Sequence, residues 1–183
     1  MPEAHTLRLA NRLGAVALTL GDGIREAVES ATGMSGGIPA ALISLHEWAD
    51  GCSVEVLADA MRVTHSRAVR VVDRLEQAGL ARRERSSADG RRALVVLEPA
   101  GHELAERALQ ARLAMLAGVV ASLDASDAAK LERLLAPLLA ARTDGTRAAR
   151  GICRMCDAHT CGHFDGTCPV SHAAGRARRA GAA

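Results

Sequence analysis

The sequence predicts a mainly α protein that carries one small β wing. Three observations lead there. Apolar residues make up 49% of the chain but aromatics only 1%, with no Tyr. A core built from Leu, Val and Ala suits packed helices better than a large sheet. Second, residues 52–101 contain two short capped helical patterns followed by two strand-like runs, 80–85 and 92–97. Third, Leu/Ala-rich helical periodicity flanks this stretch on both sides, over 4–30 and 99–142. Helix, turn, helix and hairpin in that order make a winged helix-turn-helix, and the flanking apolar helices are either an ordinary intramolecular core or, being more than one small domain needs, a surface that pairs two copies.

Each element has a local reason. Residues 4–30 place Leu7, Leu9, Leu13, Val16, Ala17, Leu20, Ile24 and Val28 at roughly helical spacing, with Gly21 and Gly23 weakening the middle. Gly33, Gly36, Gly37 and Pro39 break the pattern, and Pro39 then suits the first turn of a helix running to about residue 49. Ser53 is the expected N-cap of a helix through Ala60, with Glu55 in the first turn where a carboxylate is favoured. Arg62 and Val63 turn the chain, Thr64 caps a longer helix ending at Ala78, and Gly79 supplies a left-handed C-terminal residue. On that helix Ala68, Val71, Val72 and Leu75 face inward, leaving His65, Ser66, Arg67, Arg70 and Arg74 outward. Asp89-Gly90, in the connection between the strand-like runs, is a strong hairpin signal. Pro99 opens a long helix; Asp124 or Ser126 restarts it, and Pro137 predicts a kink. Residues 143–146 read as a linker to a Cys/His-rich segment, and 173–183 as a disordered basic tail. The expected organisation is therefore 1–37, 38–98, 99–142 and 143–183.

The formal net charge of +2 does not argue for nucleic acid, but its distribution does. Between Arg62 and Arg92 nine Arg face four acids. No apolar run reaches membrane-spanning length and no signal pattern opens the chain, so a cytoplasmic protein without membrane contact is expected.

Residues 54–60, 64–80 and 88–92, with the following Leu97-Glu98-Pro99-Ala100-Gly101, resemble the MarR family of bacterial transcription regulators. Helix order extends the likeness loosely over 4–142, Glu98 stands where the family usually has Thr, and 143–183 lies outside the common core. The resemblance implies a homodimer, with residues 4–30 and 99–142 as dimerisation helices, on a pseudo-palindromic operator in double-stranded DNA. A helix fits the major groove, and short side chains at its N-terminal end approach base edges closely. Thr64, His65, Ser66, Arg67 and Arg70 are thus the base and phosphate candidates, against the alternative of a solvated helix face. By the same resemblance the wing enters the minor groove, with Arg91 as its probe, Arg92 on phosphate, and Asp89 bracing an Arg such as Arg74.

The thiols Cys153, Cys156, Cys161 and Cys168 follow a C-x2-C-x4-C-x6-C spacing, with Pro169 directly after the last. Four cysteines so close together in a cytoplasmic chain favour metal or redox chemistry over a disulfide framework. Thiolates are soft ligands for an iron–sulfur cluster or for zinc. A single compact loop ending in Cys-Pro resembles an iron–sulfur loop more than a two-knuckle zinc site. Metal-free thiols that oxidise to disulfides are a third reading, and His159, His163 and His172 are each either a substitute ligand or a plain exposed His. Cys52 stands apart and reads as a buried small hydrophobe. The function expected is a DNA-binding regulator, a repressor, that senses redox or metal state through the four cysteines. The competing expectation is response to a small organic effector, with the cysteines holding structural zinc. No Cys/His/Asp arrangement in a strand-turn-helix context supports an enzyme.

Overall fold

The computed structural model describes residues 2–85 and 93–180. The expected connection at the wing tip, with Asp89, Arg91 and Arg92, lies outside the described residues. The first helix, α1 (Pro2–Thr32), is longer than the periodicity predicts and runs unbroken through Gly21 and Gly23. Packing overrides propensity here: α1 lies along α5 (Pro99–Val120). A Cβ at Gly23 would stand 2.7 Å from Met115 Cε, so the glycine permits that close approach.

Gly36 and Gly37 turn the chain with φ of 72° and 92° into α2 (Ile38–Ser44). The helix expected to reach residue 49 instead widens into a π-helical turn, Leu45–Ala49. The widened turn leads into Asp50, whose carboxylate Oδ1 accepts from the backbone N–H of Leu97 at 3.0 Å. Cys52 and Ser53 then form β1 (Cys52–Ser53), a strand too short for any sequence period to reveal.

The next helix, α3 (Val54–Met61), starts as expected, with Ser53 Oγ accepting from the Val56 N–H at 3.4 Å. It ends at Arg62, whose φ of 55° is left-handed. Thr64 Oγ1 accepts from the Arg67 N–H at 3.3 Å and caps α4 (His65–Gln77). Gly79, at φ 68°, turns the chain into β2 (Ala81–Arg85). With β3 (Ala93–Leu97) the sheet has order β1-β3-β2, all antiparallel, with Arg83 opposite Val95. One core fills the space between sheet and helices, with Leu42, Leu45, Leu57, Val72, Leu75 and Val95 fully buried. A smaller one, of Val28, Ile43, Ala108 and Leu109, joins α1, α2 and α5.

Asp124 caps α6 (Ala125–Ala141) by accepting from the Asp127 N–H at 2.8 Å, and Pro137 sits inside that helix. No residue of α6 is buried, and residues 3–19 of α1 are exposed, including Leu7, Leu13 and Val16. The C-terminal expectation is corrected. Residues 143–146 are not a loose linker, since Thr143 is buried and donates through Oγ1 to Leu139 O at 2.8 Å. Helix α7 (Thr146–Cys153) follows at once, and 169–180, expected in a disordered tail from 173, forms α8 (Pro169–Ala180). Burial of Val170 and Ala173 where α8 meets α6 and α7 supplies the order that basic composition hides.

Gly101 sits in the first turn of α5, where a Cβ would collide with the carbonyl oxygen of Leu80 and come within 3.1 Å of Leu97 Cδ2. A backbone oxygen cannot rotate away. Gly101→Ala should therefore lose about 1–3 kcal/mol of stability, seen as a lower denaturant midpoint by circular dichroism with an unchanged slope.

Candidate nucleic-acid interface and thiol cluster

Helix α4 separates its two faces cleanly. Ala68, Val71, Val72 and Leu75 are buried, while Thr64, His65, Ser66, Arg67, Arg70 and Arg74 are all exposed. The three arginines fall on one face, at helical offsets of three and four residues. Thr64 Oγ1 is engaged by the cap and lies 3.2 Å from Ser66 Oγ, so Thr64 shapes the N-terminus while Ser66 and Arg67 project from it. Arg74 reaches back toward the α1–α2 loop, where a Cβ on Gly36 would be 3.2 Å from its Nη1. Its expected partner Asp89 lies outside the described residues.

The brace that is visible comes from Arg83, which in the sequence counts only as basic charge. It donates to Asp73 Oδ1 at 2.7 Å, to the Glu76 carboxylate, and through its own N–H to Glu76 Oε1 at 2.9 Å. Wing strand and reading helix are thereby tied together. Arg82 is engaged by Glu84 and by Glu98 Oε1 at 3.0 Å. Glu98, the residue that departs from the family pattern, makes no side-chain cap on α5 and serves this ion pair instead.

The four thiols gather between α7 and α8. The Cys156 N–H donates to Cys153 O at 2.8 Å, closing a tight turn, and the Thr167 and Cys168 N–H groups both donate to Gly162 O. Gly162 and Gly166 adopt φ of 76° and 68° to fold the loop back. Asp157 holds it by accepting from the N–H groups of His159 and Thr160 and from Thr160 Oγ1, all at 2.9 Å. Burial opposes the Asp157 charge, yet these donors keep its carboxyl below the usual range.

Cys161 Sγ donates to Ala158 O at 3.7 Å, and Cys153 and Cys156 influence one another most strongly. Cys153 donates to Cys156, which drives the Cys153 thiol up, and burial adds to this. The same bond, helped against burial by the charges of Arg112 and Arg154, pulls Cys156 down to about 7. Burial, and to a smaller degree the neighbouring sulfurs Cys168 and Cys156, raise Cys161 to about 11. Among the described residues no group of three or more His, Cys, Asp or Glu converges in metal-holding geometry. Yet all four thiols lie within one another's electrostatic reach. As a donor set they fit a thiolate-bound iron–sulfur cluster or zinc. His159 and His163 each pack against Phe164, tilted and edge-on respectively, on the exposed side of the loop.

The segment is seated on the reading head, which the sequence did not foretell. Ser44 Oγ donates to Arg154 O at 2.8 Å, and Glu47 Oε2 accepts from the Ala158 N–H at 2.7 Å. Trp48 meets His163 edge to face with centroids 4.9 Å apart, and Arg147 pairs with Asp59 of α3 at 2.9 Å. A Cβ on Gly151 would strike the Arg62 guanidinium, so that glycine lets α7 close over the helix-turn-helix turn. Met155 packs into the small core of Val28, Ile43, Ala108 and Leu109. Ser44, Glu47, Arg62 and Arg112 carry no local sequence signal, because their roles arise from partners far away in the chain.

Residues 41–92 match the model described as MarR family. The chain is similar to a MarR family protein from Bacillus stearothermophilus, at 26% identity and TM-score 0.65, covering 75% of this chain and 95% of that one. It is also similar to YusO from Bacillus subtilis, at 23% identity and TM-score 0.61, covering 75% and 96% of the two chains. A mutant of Staphylococcus aureus MepR bound to an oligodeoxyribonucleotide matches at 18% identity and TM-score 0.52, covering 73% and 96%. A search of curated proteins finds no match. Among the described residues no helix is long and apolar enough to cross a membrane. The family match lies on the helix-turn-helix and the start of the wing, and the solved likenesses, which cover 73–75% of the chain, share its winged-helix fold.

Proposed function

We propose that the chain acts as a homodimer on a pseudo-palindromic operator, as a repressor whose DNA affinity follows the state of its C-terminal thiols. The carrying observation is the position of the Cys153–Cys156 turn: its Met155 is packed at the junction of α1, α2 and α5, and its Arg154 carbonyl is held by Ser44 of α2. A change at these sulfurs reaches the reading head and the dimer helices through packed atoms and needs no long pathway.

The apolar faces of α1 and α6 support pairing. Leu7 is 64% and Leu134 63% exposed, more than an isolated soluble surface tolerates along a whole helix. Two heads on one axis must then match successive major grooves about 34–36 Å apart. Arg67 and Arg70, with His65 and Ser66, enter the major groove in this reading. Asp89, Arg91 and Arg92 serve the wing in the adjoining minor groove. MepR, seen with an oligodeoxyribonucleotide, is a fold-level precedent.

Cys153, Cys156, Cys161 and Cys168 would hold an iron–sulfur cluster, with zinc as the competing ion. When bound, the cluster would supply a centre whose charge responds to oxidants. The chain's own part is to position the thiols: Asp157 pins the loop, and Arg112 and Arg154 favour the thiolate at Cys156.

Two measurements test this. In anaerobic fluorescence-anisotropy titrations, Arg67→Ala and Arg70→Ala should each weaken operator binding, and removing an arginine that neutralises a phosphate should flatten the salt slope by about 1. The Cys153→Ala/Cys156→Ala variant should differ from the native chain in operator affinity by about fivefold or more, the lower end of typical coupling between sites. Equal affinities would refute thiol control. An absorption spectrum with metal analysis on the same anaerobic protein separates the cofactors: visible charge-transfer bands with iron indicate a cluster, and a colourless sample with stoichiometric zinc indicates the other ion.

A further inference from the structure

The extension carries the positive balance of the chain. Residues 143–183 hold six Arg against three Asp, a surplus of three, while the whole chain has a formal charge of +2. The winged helix and its flanking helices together are therefore acidic by one charge, a poor balance for a surface that must approach phosphate. The deficit is sharpest on α3, which carries Glu55 and Asp59 and no cation. In a helix-turn-helix this first helix crosses the DNA backbone.

Helix α7 packs against α3 and brings arginines to it. Arg147 is engaged by Asp59 at 2.9 Å. Arg150 and, on α8, Arg178 are both exposed, and neither forms an ion pair among the described residues. They stand together on the lining of a cavity of about 450 Å³ between the extension and the head, beside Cys52 and Val56 at the start of α3. Burial pushes the Cys52 thiol up to about 11, and the charge of Arg150 is the largest influence opposing it, which puts this guanidinium close to the junction of β1 and α3. Asp50 is the one carboxylate on the described lining, and its Oδ1 is engaged by the Leu97 N–H. Arg176 and Arg179 lie on an adjoining face of α8, along a separate shallow cleft with His172.

We infer that Arg150 and Arg178 bind the phosphate backbone of duplex DNA flanking each half-site, so that the extension lengthens the contact made by the reading helix. Guanidinium groups match phosphate oxygens in geometry and charge, and such contacts fix register without reading sequence. The contact rests on the DNA-regulator reading above and is independent of what the thiols hold.

The native full-length chain is first used to select a duplex from a random-sequence library. Affinity is then measured across a salt series on that site with long flanks and on the same site trimmed to its two half-sites. Arg150→Gln/Arg178→Gln, at two exposed positions, should keep the native melting curve. On the flanked site it should flatten the slope of log affinity against log salt by about 2, since each neutralised phosphate contributes about 0.9. On the trimmed site this variant and the native chain should bind alike. Arg176→Gln/Arg179→Gln removes the same charge from the adjoining face and should leave the native slope unchanged. A native slope in Arg150→Gln/Arg178→Gln, equal flattening by the two double variants, or a deficit that persists on the trimmed site overturns the inference while leaving the DNA-regulator reading intact. Failure of the native chain to select any sequence would refute that reading and this contact with it.

Discussion

Everything distinctive in this molecule turns on the small apolar junction of Val28, Ile43, Ala108 and Leu109. Ile43 belongs to α2 of the reading head, whereas Val28, Ala108 and Leu109 belong to the long helices that flank it. Met155 enters the same cluster from the extension, so three parts of the chain share one packed knot. Close packing makes such a knot responsive: interiors at crystal density rearrange between discrete states and do not deform smoothly. The neighbouring bond from Ser44 to Arg154 O fixes the angle at which Met155 arrives. Since Ser44 is almost fully buried, breaking that bond would strand a hydroxyl, and the extension is held in one register by the cost of doing so.

Electrostatics at the seam follow from the same geometry. Arg154 is pushed down chiefly by burial and then by the charge of Arg62, so the seam carries a crowded cationic side. Arg112 Nε is buried there without a hydrogen-bond partner among the described residues. The negative charge that best complements both is a thiolate at Cys156, which Arg112 and Arg154 stabilise in return. The exposed pair of Arg147 with Asp59 is worth little alone, because solvent screens it. Packing at Met155 and the buried hydrogen bonds of Ser44 and Glu47, more than surface ion pairs, hold the extension in place.

The head was legible in the sequence because its signals are local. Ser53 and Thr64 cap the helices they were expected to cap, and Gly79 turns left-handed after α4. The inward set Ala68, Val71, Val72 and Leu75 is buried as its spacing dictates. What failed was non-local. Two residues of β1 have no period of their own, and they become a strand only because β3 offers unpaired backbone groups. Arginines make 173–180 read as disordered, yet Val170 and Ala173 bury where α8 meets the two preceding helices, α6 and α7. The thiols were found by spacing alone, but nothing in that spacing pointed to Ser44, Glu47 or Arg112 as their setting.

That setting connects two kinds of chemistry. Cys153 is at once a member of the thiol group and part of the cavity wall. Asp50 and Gly51, which line the same cavity, hold the wing strand through Leu97 N and Val95 O respectively. The cavity lining therefore joins the anchor of β3 to the cysteine turn. An extension added beyond the winged-helix core thus shares one lining surface with the anchor of the wing strand, without altering one residue of the reading helix.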